Sequence, residues 1–158
     1  NQVKMKKVVL VLGAIVLSCQ MNAQKLWKDE VDDFTGDIKK FTNYYNVATT
    51  NVGTLKVSAI RLNDFYYIKM KSTSDLGCSG ASDNYAIIKF TDGTTLKLDK
   101  DYSDIDCSDS TPSLFTLNAN SPLFTKEIEK IRFKQSKYYT DGVTSGTYSL
   151  AQILEATK

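Results

Sequence analysis

Through the middle of this chain, apolar and polar residues alternate in short runs separated by turn-forming residues, the pattern of half-buried antiparallel strands. Thr54–Leu62 puts Leu55, Val57 and Ala59 on one face. Asn63 and Asp64 both tolerate positive φ and predict a turn. Residues 65–71 then turn Tyr66, Ile68 and Met70 inward and leave Lys69 and Lys71 solvated. The clearest hairpin joins residues 84–90 to 95–98 through Thr91-Asp92-Gly93-Thr94, with Ala86, Ile88 and Phe90 facing Leu96 and Leu98. Asp-Gly at that place predicts a type I′ turn, which needs positive φ at both residues. Ser113–Leu117 and residues 127–134 read as further strands, the second with Ile131 and Phe133 inward. Between them, Ser121 and Pro122 suit the N-cap and first position of a single helical turn.

Toward the ends the alternation thins. Residues 35–42 read as a strand, and residues 149–156 as a short helix with Leu150, Ile153 and Leu154 on one face. About seven strands and a short C-terminal helix predict an all-β fold, mainly antiparallel, a small sandwich or barrel.

The first 24 residues have a different character. Lys4, Lys6 and Lys7 precede the apolar run 8–17, and the polar, small-residue stretch 18–24 closes it. Ten apolar residues fall short of the ~20 needed to span a bilayer and match the core of a secretory signal peptide. The expected organisation is therefore a signal peptide over 1–24 and a single β-rich domain over 25–158, periplasmic or secreted, with no transmembrane span after processing. Val16-Leu17-Ser18-Cys19 is similar to a bacterial lipobox. It gives the alternative of a lipid-anchored form attached through Cys19.

That division changes the charge argument. The whole chain carries 20 basic and 18 acidic residues, but three lysines and no acid lie in residues 1–24, leaving 17 basic against 18 acidic residues. Such a balance supplies no electrostatic drive toward nucleic acid. With Cys19 in the leader, Cys78 and Cys107 remain, and in an oxidising compartment they are expected to form one disulfide. The chain has no His, so Ser-His-Asp and Cys-His nucleophile systems are excluded, as are HExxH zinc sites.

The richest polar cluster runs from Asp99 to Asp109. Asp99, Asp101 and Ser103 alternate like the start of a calcium loop. The match ends at Asp104, where such a loop needs Gly, and at Ser110, where it needs a bidentate Glu. The favoured reading is a solvated acidic loop without a cofactor, with calcium as the alternative. Tyrosine pairs offer another kind of site. Adjacent strand residues face opposite ways, so Tyr67 is exposed if Tyr66 is buried. Tyr138 and Tyr139 stand beside a segment, residues 141–146, that reads as a flexible loop. Tyr67, Tyr138 and Tyr139 are the candidate ligand-binding residues, since Tyr presents a rigid apolar face with a polar tip.

The leader from Lys6 to Gln24, the hairpin Phe90-Thr91-Asp92-Gly93-Thr94 and the segment 123–133 resemble small exported β-rich proteins of Bacteroidetes. The resemblance implies compartment and fold, and brings no activity or site. The functional expectation is a non-catalytic exported module that binds a protein or glycan at the cell envelope or outside it. A lipocalin-like small-ligand carrier is the alternative, and a calcium-dependent hydrolase using the Asp-rich loop is the second. Eighteen carboxylates make acidic pairs abundant, but none is singled out as the facing pair that hydrolysis needs.

Overall fold

Burial along the central strands follows the expected two-residue period. Leu55, Val57 and Ala59 are fully buried, as are Ile68 and Met70, and Ala86, Ile88 and Phe90 repeat the pattern. The computed structural model describes residues 27–79, 83–100, 107, 111–146 and 148–158. Among them are ten strands: β1 (Trp27–Val31), β2 (Ile38–Thr42), β3 (Tyr45–Thr50), β4 (Thr54–Leu62), β5 (Phe65–Ser72), β6 (Tyr85–Phe90), β7 (Thr95–Asp99), β8 (Ser113–Leu117), β9 (Ile128–Lys134) and β10 (Tyr139–Thr144). A 3-10 turn at Pro122–Phe124 precedes β9, and the helix α1 (Leu150–Glu155) ends the chain. Ser121 and Ser149 cap these two, and Gln152 completes a capping box with Ser149.

All pairings are antiparallel and belong to one sheet. β2 and β3 share one edge of β4, β2 against residues 60–62 and β3 against residues 54–57. From β4 the sheet runs one way through β5 to β8, and the other way through β3, β10, β9 and β6 to β7. β1 extends the sheet beyond β2. The sheet curls around a single core until β7 and β8 approach each other, but they do not pair. It is therefore an open, curled sheet and not a closed barrel. Phe90, Phe115 and Phe133, together with Met70, Ile88 and Ile131, fill its concave side. Leu150, Ile153 and Leu154 of α1 join the same core.

Three local expectations need correction. The strand predicted over 35–42 begins only at Ile38, because Asp32 Oδ1 accepts from the Phe34 and Thr35 amides at 2.9 Å and folds the preceding residues into a turn. The Asp-Gly hairpin is not type I′, since only Gly93 has positive φ (84°). Its amide donates to Phe90 O at 3.0 Å, and Asp92 Oδ1 takes the Thr94 amide at 2.9 Å. That is a type I turn closed by a left-handed glycine, the usual three-residue loop. Residues 141–144, expected as flexible loop, are strand. Gly142 is what allows this: a Cβ there would come within 2.8 Å of Ala48 Cβ, so its absence lets β10 lie close on β3.

Cys78 and Cys107 form the expected disulfide and close a loop with a sequence separation of 29. It ties the segment after β5 to the segment before β8, two neighbouring strands. Asn84 organises the backbone around it, its Nδ2 donating to Cys78 O at 3.0 Å and Ser79 O at 2.5 Å. Gln135 Nε2 reaches Thr111 O at 2.8 Å. Buried amides thus hold loops that have few apolar side chains of their own. Such a bond fits an oxidising compartment. Among the described residues, no helix is long and apolar enough to cross a membrane.

Candidate functional site

Strand register decides which exposed side chains stand together. Tyr85, Lys134 and Tyr139 occupy one row across β6, β9 and β10. Ile87, Arg132 and Asp141 form the next row, and Lys89, Lys130 and Val143 the one after. These residues alternate with the buried Ala86, Ile88, Ile131, Phe133 and Thr140, so all of them point away from the core. With adjacent strands ~4.8 Å apart, Tyr85 and Tyr139 lie about 10 Å apart on this outer face.

The polar groups of the face are held in place. Arg132 Nε and Nη2 donate to Asp141 Oδ1 and Oδ2, both at 2.6 Å, in a two-pronged pair. The Arg132 guanidinium also stands 4.6 Å over the Tyr139 ring. Lys97 and Lys134 flank Tyr85, with ammonium groups 5.5 and 6.0 Å from its centroid. Each cation also has a carboxylate partner. Lys97 pairs with Asp99 at 2.5 Å and Lys89 with Glu129 at 2.7 Å, while Lys134 pairs with Asp83. Charges here are compensated, and the two rings are buttressed by cations.

These pairs lower the proton affinity of their carboxylates. The Arg132 hydrogen bonds hold the Asp141 carboxyl below its ordinary value of 3.8, and the Lys134 and Lys89 hydrogen bonds do the same to Asp83 and Glu129. A carboxylate with a lowered folded pKa contributes stability that is present above its unfolded value and lost as pH falls through the folded one. The urea midpoint is therefore expected to fall on acidification from about pH 5 to pH 2. Asp141→Asn should flatten that slope, and an unchanged slope would contradict the pairing.

The candidate residues do not converge on one site. Tyr138 and Tyr139 are both exposed, at 63% and 58%, but only Tyr139 joins the row with Tyr85, because Tyr138 sits in the turn before β10, its amide donating to Leu76 O. Tyr67 is half-buried on β5, two strands away from β3 through β4, opposite Ile60 and Thr116. Asp99 is exposed and paired with Lys97, whereas Asp101 and Ser103 lie outside the described residues, as does Cys19. Among the described residues, no three His, Cys, Asp or Glu side chains come close enough to hold a metal ion. Tyr85, Arg132, Lys134 and Asp141 were not singled out in the sequence, although Lys130-Ile131-Arg132-Phe133-Lys134 carries the alternation that turns its cations outward.

A second outer face lies on β2, β4 and β5. Phe41, Ile60 and Tyr67 make one outward row, and Lys39, Leu62 and Phe65 the next. Elsewhere on the surface, a half-open crevice of about 400 Å³ lies between the start of β9, the end of β10 and α1, lined by Val47, Lys126, Ile128, Tyr148 and Leu150 among others. Comparisons with family models, with curated proteins and with solved structures give no match to this chain.

Proposed function

We propose that this chain is a non-catalytic exported module that binds a glycan or protein ligand on the outer face of β6, β9 and β10. The observation that carries the reading is the row Tyr85–Lys134–Tyr139 beside the Arg132–Asp141 pair. Two aromatic rings about 10 Å apart offer stacking surfaces for successive sugar units. Lys134 offers a donor between the rings, and the Arg132–Asp141 pair lies in the next row beside them. An outer face with compensated charge suits a neutral glycan better than a strongly charged partner.

Other features support the same class. Among the described residues, the carboxylates whose affinities shift, Asp32, Asp83, Asp92, Glu129 and Asp141, are all shifted downward. A general acid in glycoside hydrolysis needs the opposite shift. The concave side of the sheet, where a carrier would hold its ligand, is filled by Phe90, Phe115, Phe133 and Met70, all at most 1% exposed. The disulfide fits export.

Screening the purified protein against immobilised glycans, followed by calorimetry on the best binder, tests the reading. Tyr139→Ala and Tyr85→Ala are each expected to weaken binding about tenfold or more, as for an aromatic anchor. Tyr138→Ala should have little effect. A glycan or protein ligand whose affinity ignores both substitutions would place the site elsewhere.

A further inference from the structure

We infer that the outer face of β2, β4 and β5 docks the protein on an anionic lipid surface, an interaction separate from the tyrosine row. Outward positions of a sheet facing water are normally polar. Here Phe41, Ile60 and Tyr67 fill one outward row, and Leu62 and Phe65 lie next to it in the following row. Phe65 is 59% exposed and Leu62 38%.

Lysines continue the same face. Lys56 stands directly opposite Lys71 across β4 and β5, and Lys69 lies two residues from Lys71 on the same side. Lys71 sits 4.5 Å over the Tyr44 ring. Among the described residues, no carboxylate pairs with Lys56, Lys69 or Lys71 within 4.0 Å. The contrast with the other outer face is direct, since every lysine named there has a carboxylate partner. Like charges placed opposite one another are destabilising in the free protein, and a bound anion relieves them.

Apolar and aromatic side chains bordered by uncompensated lysines decide between partners. Protein interfaces are depleted in Lys. A lipid interface uses this combination, with Tyr and Phe at headgroup level and Lys on anionic headgroups. Among the described residues of the patch, Lys39 is compensated, beside Glu30 at 3.7 Å.

Sedimentation with vesicles tests the inference, in a Cys19→Ser background so that no acyl chain contributes. Binding is expected to vesicles of phosphatidylcholine containing about a third phosphatidylglycerol, to fall as salt rises, and to be much weaker on pure phosphatidylcholine. Replacing Lys56, Lys69 and Lys71 together with Gln should weaken it by about a hundredfold, near fivefold per lysine. Phe65→Ser should weaken it independently of salt, and circular dichroism checks that both variants fold. The control is the matching triple change of Lys89, Lys126 and Lys130, each paired with a carboxylate and none beside Tyr85 or Tyr139, which should leave binding intact. Equal loss from both triple variants, no binding to the anionic vesicles, or capture by an acidic protein or polysaccharide instead would overturn the inference. The glycan test reads Tyr85 and Tyr139, on β6 and β10, so the two proposals fail separately.

Discussion

Replacing Cys78 and Cys107 together with Ser, or reducing the bond, is expected to lower the unfolding free energy by roughly 3–4 kcal/mol, the chain-entropy value for a loop of this length. For a domain of this size that corresponds to a fall of about 10–15 °C in Tm. The loop it closes carries the β6–β7 hairpin, so losing the bond releases a long stretch of unfolded chain. Some native contacts would survive. The Cys78 amide donates to Ser136 Oγ at 2.7 Å, and Asn84 still holds the Cys78 and Ser79 carbonyls. The measurement is a urea melt of the oxidised protein, the reduced protein and the double-serine variant. Equal midpoints for all three would show that the bond contributes nothing, and would remove the strongest support for an extracytoplasmic protein.

Phe133→Ala is expected to cost about as much, 3–5 kcal/mol by the usual range for a buried aromatic. Its ring is fully buried and meets Phe115 edge-on with centroids 6.4 Å apart. It lies one residue from the end of β9, between Ala86 of β6 and Thr140 of β10, where few neighbours can move to fill the space. Phe65→Ala removes a ring of the same size, but a largely exposed one, and should change stability by less than about 0.5 kcal/mol. Urea titrations separate the two cases, through a shifted midpoint with an unchanged slope for Phe133→Ala. A shift of similar size for both would mean that the outward face of β5 is covered in solution.

The residues that made the fold legible are those where one face is buried and the other wet. β5 and β6 alternate between buried and more exposed residues throughout, and β4 and β9 over part of their length, and the inward residues there were identifiable one by one. β1 and β10 carry too little apolar content for that signal: Lys28, Asp29 and Glu30 in one, Thr140, Asp141 and Gly142 in the other. β10 is a strand because β3 and β9 pair with it on both sides, a tertiary cause that local propensity does not record. The candidate surfaces were less legible for a related reason. Alternation tells that Tyr67 and Tyr139 point outward, but only the register shows their company. Tyr139 has Arg132, Lys134 and Tyr85 around it, and Tyr67 has Ile60 and Phe41. The compensation of Lys89 by Glu129 and of Lys134 by Asp83 likewise arises from neighbours far apart in sequence.

The unpaired approach of β7 to β8 has a mechanical consequence. Near Lys100, whose amide donates to Asn84 O, and near Ser113, which Asn84 also reaches, the two strands are drawn together. At the far end, Leu96 and Leu98 face Asn118 to Pro122 across a cleft. The seam is thus tied through Asn84 at one end and opens into a cleft beside Leu96 and Leu98, and parting β7 from β8 would break no ladder of backbone bonds.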